Sequence, residues 1–216
     1  MGRKPMIFKV LFLLAVSVAS LNSWSSESQV ADKNLQTCLN DIAAKKQWDS
    51  ATDFTEIKCH NLDIKSIEGL DVFVNIEKLS LYKNDISSAD LRGFKHLQHI
   101  NLARNKLKML NLSELPQLVE LFFFDNEIVS LTLKDLPRLE EFKGNANAMK
   151  AFDYSNLPAV KKVYLFDNEL ETIDIHNLPS LEYMDVRENP MPDKLYEDMD
   201  AMVGVTILHD GNADDW

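Results

Sequence analysis

Apolar and polar positions alternate along this chain in a pattern that returns every 21 residues from Ile76 to Met191 without a slip. Each unit reads L-x-x-L-x-L-x-x-N-x-L, with its asparagine at Asn84, Asn105, Asn126, Asn147, Asn168 and Asn189. The apolar pair ahead of each asparagine is Leu79/Leu81, Ile100/Leu102, Leu121/Phe123, Phe142/Gly144, Val163/Leu165 and Met184/Val186. Two positions beyond it stand Ile86, Leu107, Ile128, Met149, Leu170 and Met191. Alternation at period two predicts a strand with one buried face, and a unit this short cannot bury that face by itself. The units must therefore stack, so that equivalent residues form columns with a spacing of about 4.8 Å. The asparagines close each strand, where an amide offers both a donor and an acceptor to backbone left unpaired in the turn. They are read as a structural ladder and assigned no ligand.

The remaining segments read as shorter elements. Leu110/Leu112, Leu131/Leu133, Phe152/Tyr154 and Ile173/Ile175 also alternate at period two, and each is followed by a Leu-Pro step, at Pro116, Pro137, Pro158 and Pro179. Proline and period two both oppose long helices there and predict short extended or turn-like arcs. Upstream, Asp32 caps a segment with Leu35, Cys38, Leu39, Ile42 and Ala43 on one face, which predicts a helix, with Trp48 behind it. Phe54 to Ile64 is a degenerate first unit, 22 residues ahead of the next, with Leu62 in the asparagine position. After Asn189-Pro190 a helix is predicted from Asp193 to Met202, with Leu195, Met199 and Met202 inward. Val205 and Ile207 stand 21 residues after Met184 and Val186 and predict a last strand. An open solenoid end exposes its apolar core, so both ends need a cover with a polar outer face. The two helical segments fit that role, and His209 to Trp216 reads as a loose acidic tail. One irregularity tests the stacking: Gly144 occupies a leucine position directly beside Phe123, the largest residue of that column. Constant packing density predicts such compensation, with a local bulge at Gly144 as the alternative.

The register of six units resembles the leucine-rich repeat family, and Ile67-Glu68-Gly69-Leu70 resembles the bacterial internalin-like repeats of 21 or 22 residues. The resemblance implies an α/β repeat solenoid, a right-handed leucine-rich repeat horseshoe with a parallel sheet on its concave face. An N-terminal helical cap then covers residues 32–53, the repeats 54–191, and a C-terminal capping repeat with the acidic tail 192–216. It also implies a binding module rather than an enzyme, with no cofactor.

Residues 1–20 stand outside this pattern. Gly2-Arg3-Lys4, an apolar run over 10–19 and Val18-Ala19-Ser20 read as a bacterial secretory signal peptide, and the serine-rich stretch 21–31 as a linker. The apolar run is shorter than the roughly 20 residues a membrane span requires, so the expectation is an exported protein, periplasmic or secreted. Losing Arg3, Lys4 and Lys9 with the leader takes the formal net charge from −11 to −14. Such acidity opposes nucleic acid and anionic membrane surfaces as partners. Export also predicts a disulfide between the two cysteines, Cys38 and Cys59, pinning the cap to the first strand. Two buried free thiols are the alternative.

No catalytic residues emerge. His60, His96, His99, His176 and His209 lack metal-ligand spacing, and no glycine-rich phosphate loop follows any strand. Asp90, Asp153 and Asp174 share an outer column, but Asn111 and Thr132 interrupt it and make it a solvated face.

The informative positions are those that alternate outward on the strands. One column reads Lys58, Ser80, Asn101, Phe122, Lys143, Tyr164, Asp185; the next reads His60, Tyr82, Ala103, Phe124, Asn145, Phe166, Arg187. The column before them contains Glu120, Glu141 and Tyr183. Phe122, Phe124, Tyr164 and Phe166 therefore stand where the sheet is open to water, each able to bury about 150–250 Å². Even half-exposed, four of them rival the apolar patch of about 300–600 Å² that marks functional surfaces on monomers. Lys143 and Asn145 lie between the two aromatic pairs and are expected to floor a slot with aromatic walls, with the Lys143 ammonium held between Phe122 and Tyr164 where it can lie over either ring. With Tyr82 and Tyr183 these six form the candidate binding set. The expected protein is a monomer that binds a protein or peptide on its concave face, docking an apolar or aromatic side chain in the slot with a carboxylate nearby. An oligosaccharide receptor using the same platform is the alternative, and simple cross-strand stabilisation of the sheet is the bland one.

Overall fold

The computed structural model describes residues 30–211, so the leader, most of the linker and residues 212–216 lie outside the described residues. Eight short strands form one parallel sheet in chain order: β1 (Glu56–Lys58), β2 (Lys78–Ser80), β4 (His99–Asn101), β6 (Glu120–Phe122), β8 (Glu141–Lys143), β10 (Lys162–Tyr164), β11 (Tyr183–Asp185) and β12 (Thr206–Leu208). The central residue of each of the first seven, from Ile57 to Met184, is at most 1% exposed. Their flanking residues face the other way, which is the alternation the sequence predicts. Behind the sheet run the outer arcs, where β3 (Ser88–Asp90) pairs with β5 (Met109–Asn111) and β7 (Ser130–Lys134) with β9 (Ala151–Ser155). Between β5 and β7 the outer ladder is interrupted by a groove of about 370 Å³ whose lining includes Lys108, Leu110, Leu112, Leu131 and Lys134. The arcs are extended, as the prolines require, and the α-helices are confined to the two ends. Together these make a leucine-rich repeat horseshoe.

The asparagine column works as backbone glue. The Asn168 Oδ1 accepts the Met149 N–H at 3.1 Å, while its Nδ2 donates to the Leu165 carbonyl at 3.0 Å and to the Gly144 carbonyl of the preceding turn at 3.1 Å. Asn84, Asn105, Asn126, Asn147 and Asn189 repeat this pattern, and Asn84 also reaches back to the amides of Leu62 and Ile64 in the unit that lacks its own asparagine. Gly144 confirms the compensation: a Cβ built there lies 2.5 Å from Cε2 of the fully buried Phe123 ring. No bulge is present, because Phe142 and Lys143 keep register with both neighbouring strands.

At the N-terminus, helix α1 (Lys33–Lys46) is capped by Asp32, whose carboxylate accepts from Asn34 N–H at 2.9 Å and Leu35 N–H at 3.0 Å. Leu35, Leu39 and Ala43 face the core, and a disulfide joins Cys38 to Cys59 with a Cα–Cα distance of 6.0 Å. Asp32 also accepts the Lys65 amide at 2.8 Å, tying the helix to the first turn. Packing starts earlier than the predicted helix: Val30 is buried, and the Ala31 N–H donates to the Glu68 carbonyl at 3.0 Å. Trp48, Phe54 and Phe73 pack in sequence beneath the cap, tilted and then edge-on, with centroid separations of 4.9 and 4.8 Å.

The C-terminal cap differs from expectation in two respects. Helix α2 spans Asp193–Asp200 and buries Met199, but β12 pairs Met184 with Ile207, so the last strand lies two residues later than a strict 21-residue period would place it. Because side chains alternate at period two, a shift of two keeps Ile207 facing inward. His209, read as the start of a loose tail, is instead 1% exposed. Its Nε2 lies 3.0 Å from the Asp200 carboxylate, and its ring stacks on Tyr196 at 4.6 Å.

Candidate functional site

Parallel pairing in register converts the outward positions into rows that run across the concave sheet. In the first row Phe122, Lys143 and Tyr164 occupy adjacent strands β6, β8 and β10, paired residue for residue. The Lys143 Nζ lies 5.0 Å from the centroid of Phe122 and 4.8 Å from that of Tyr164, and 3.0 Å from Oε1 of Glu141 two residues before it. The ammonium therefore lies between the two rings, as expected from the columns. A partly desolvated cation over an aromatic face contributes about 0.5–2 kcal/mol, and here it meets two such faces. Tyr164 also packs against Tyr183 of β11 at 5.3 Å, continuing the row by one strand. Burial of Tyr183 raises its phenol above the usual range, with Asp185 and Tyr164 adding to the effect, so it is a neutral hydroxyl across the physiological range.

In the second row Phe124, Asn145, Phe166 and Arg187 are neighbours. The Asp125, Ala146 and Asp167 amides donate to the carbonyls of Asn145, Phe166 and Arg187, all at 3.0 Å. Phe124, Asn145 and Phe166 are all partly exposed. Among the described residues neither phenyl ring contacts another ring, and the Asn145 side-chain amide makes no hydrogen bond. Arg187 turns back to Asp185 with Nε at 2.9 Å and Nη2 at 2.7 Å from its carboxylate oxygens. This pair was missed from sequence, where Asp185 counts as one more open position; it is 2% exposed and held by the arginine two residues on. The signal was available, since an acid and an arginine at i and i+2 share one face of a strand.

Tyr82 stands apart from the other seven residues. Its neighbours are His60 at 5.8 Å and the Arg104 guanidinium at 5.8 Å, and Ala103, in its own row, is fully buried between it and Phe124. His60 accepts from or donates to the Ser80 hydroxyl at 2.7 Å, and burial together with nearby Lys58 lowers its pKa below the ordinary histidine value. His99 is paired with Glu120 at 2.8 Å and Arg104 with Asp125 at 3.3 Å, so these two cations already have an acid beside them. Chemically the arrangement can stack rings and pair charges. A concavity of the outer arc, about 630 Å³, has a mixed lining of charged Glu68, Asp71, Asp90 and Arg92 beside apolar Leu70 and Phe94, and its Arg92 is taken up by Asp90 at 2.6 Å.

No protein-family model and no curated protein matches this chain. Among solved structures it is similar to internalin C2 from Listeria monocytogenes, with a TM-score of 0.59 and 18% identity over 82% of this chain and 93% of that one. YopM from Yersinia pestis gives a TM-score of 0.58 at 18% identity, covering 87% of this chain and 57% of YopM. The leucine-rich repeat domain of APL1B gives 0.53 at 19%, covering 62% of this chain and 42% of that domain structure, so the chain spans less than half of it. At these identities the likeness is one of fold, the leucine-rich repeat horseshoe described above.

Proposed function

We propose that this protein is an exported interaction module that binds another protein or peptide on its concave sheet, as a monomer and without a cofactor. The observation that carries this reading is the aromatic surface around Lys143. Cross-strand packing accounts for the contact of Tyr164 with Tyr183, but not for Phe124 and Phe166, which stand partly exposed on the open face and touch no other ring among the described residues. Large aromatic faces kept apart and partly wet are the material of binding hot spots, where truncation typically costs about 2 kcal/mol or more. A structure similar in fold is that of the LRIM1/APL1C complex, and this supports a protein partner. The disulfide between Cys38 and Cys59 supports an oxidising compartment, in keeping with the leader read from residues 1–20.

The test is capture with the mature protein as bait, wild type against a Phe122→Ala/Tyr164→Ala double variant, followed by titration of the confirmed partner. Tyr164→Ala should weaken binding roughly tenfold or more with an unchanged fold, because its side chain points away from the core. Lys143→Glu should weaken it as well, more strongly at low salt. If both variants bind like wild type, the partner docks elsewhere. Binding of an oligosaccharide that depends on only one or two of the aromatics would replace this reading with the glycan one.

A further inference from the structure

The two rows of the concave face are finished differently. In the first, the chain's own ammonium fills the gap between Phe122 and Tyr164, at 5.0 and 4.8 Å from their centroids. In the second, Phe124 and Phe166 flank the short side chain of Asn145 across the same two strand spacings, about 9.6 Å. The Asp125 and Ala146 amides hold this ladder together through the Asn145 and Phe166 carbonyls, both at 3.0 Å. A group placed midway between these rings would lie about 4.8 Å from each, the geometry Lys143 already adopts next to it and well within cation–π range. Among the described residues no ring or cation lies over Phe124 or Phe166, and Asn145 ends in an amide with no side-chain hydrogen bond. At the rim, Asp125 and Asp167 directly follow the two phenylalanines, both exposed. Asp125 is shared with Arg104 at 3.3 Å, and Asp167 has no ion-pair partner among the described residues. The cations that border the gap are neutralised, Lys143 by Glu141 at 3.0 Å and Arg187 by Asp185 at 2.7 Å.

We propose that the gap between Phe124 and Phe166 is a subsite for a cationic side chain of the partner, arginine in preference to lysine. A guanidinium is planar, stacks on phenyl faces, and keeps its donors free at the edge for the Asn145 Oδ1 and the carboxylates of Asp125 and Asp167. The acidic balance of the chain, −11 overall, favours the same class of ligand. The first row thus shows within one molecule how the second is completed by a partner. This inference rests on the reading of the concave face as the binding surface.

The probe is N-acetyl-arginine amide, with N-acetyl-citrulline amide as its neutral isostere, titrated into isotope-labelled protein and followed by NMR. The arginine probe is expected to shift the Asn145 side-chain amide and the Phe124 and Phe166 ring signals saturably, at least threefold more tightly than citrulline, and to weaken as salt is added. Asn145→Lys supplies an internal ammonium, as Lys143 does next door, and should abolish the response while the rest of the spectrum stays in place. Asn145→Asp should tighten binding at least twofold. Equal response to citrulline, no saturable shift, or a response retained in Asn145→Lys overturns the proposal. Should Asn145→Lys fail to fold, loss of the response in Phe124→Leu supports the subsite and its retention overturns it. With a captured partner the two readings separate: binding that is lost in the Phe122→Ala/Tyr164→Ala variant but untouched by Asn145→Lys sinks the subsite and leaves the binding face standing.

Discussion

Adding one methyl group at Gly144 should destabilise the protein, and the reason lies one turn away. An ideal Cβ at Gly144 lies 2.5 Å from Cε2 and 3.2 Å from Cε1 of Phe123, whose ring is 0% exposed and enclosed by core on every side. Gly144 is not among the residues with positive φ, so alanine there suffers no strain from its own backbone. Two effects favour the alanine: a smaller unfolded ensemble, about 0.4–1 kcal/mol, and a buried carbon, about 0.8 kcal/mol. Overpacking opposes them at about 1–3 kcal/mol, and a buried ring with nowhere to retreat belongs at the upper end. The net expectation for Gly144→Ala is a loss of about 1 kcal/mol, or about 2–4 °C in Tm for a chain of this size. In a Phe123→Leu background the same methyl fills space the shorter side chain has vacated, so Gly144→Ala should there stabilise by up to about 1 kcal/mol. Urea unfolding of the four proteins, followed by circular dichroism with the disulfide intact, gives the coupling directly. Additivity within about 0.5 kcal/mol would refute the argument, as would a more stable Gly144→Ala single variant.

Replacing Cys38 and Cys59 together by serine opens a closed loop of sequence separation 21 and should cost roughly 3 kcal/mol, while denatured but unreduced wild type should show no free thiol. Helix α1 should survive that change in far-UV dichroism, since Leu35 and Leu39 remain fully buried against the core. Asn168→Ala strips partners from the Met149 amide and the Gly144 and Leu165 carbonyls and should cost at least about 2 kcal/mol in chemical denaturation, with more than a surface asparagine would. His60 has a folded pKa held below its ordinary value of 6.5 by burial and by Lys58, so as pH falls the unfolded chain takes up the proton first. Stability should therefore be level above pH 6.5, fall as pH drops from there towards the lowered folded value, and lose that component of its slope in His60→Gln, as measured by Tm across the same range.

The period of the repeat carried nearly all of the fold into the sequence. A column of asparagines and apolar pairs fixes register because a slip by one residue would turn Ile100, Leu121 and Phe142 out to water. The helix cap at Asp32, the disulfide and the compensation of Gly144 by Phe123 were legible for the same reason: each is a local pattern read against a fixed register. The last strand was not, because register is carried by the repeat, and once α2 replaces an arc its length is free to change by two. The burial of His209 escaped because an acidic, polar context outweighed a weak cue, the period-two continuation from Ile207. Nor did the sequence disclose the left-handed turns at Lys83, Arg104, Asp125, Ala146, Asp167 and Glu188, all with φ between 52° and 57°. None of these is the glycine that such a turn ordinarily announces itself with, and the asparagine beside each turn holds the backbone instead. For the binding set, columns predicted which side chains adjoin, so Lys143 between Phe122 and Tyr164 was foreseeable. The ion pair of Lys143 with Glu141 was not, since it depends on the conformations of two long side chains.

The interrupted outer ladder gives the molecule an uneven stiffness. The concave sheet is tied continuously from β1 to β12, whereas on the outside β5 and β7 are left unlaced around the groove of about 370 Å³. A curved beam yields where one of its faces is unstitched, and the stretch between the turns of Asn101 and Phe122 is one such place, as are the outer arcs before β3 and after β9. The turns that carry Phe124 and Asn145 lie beyond the first of these stretches, braced from behind by the five residue pairs of β7 and β9. A partner that closes the horseshoe would swing the N-terminal arm without prising those two turns apart. Substitutions at Met109 or Val129, on the far side of the molecule from the aromatics, would then retune the angle at which the arm approaches while leaving untouched what the face recognises.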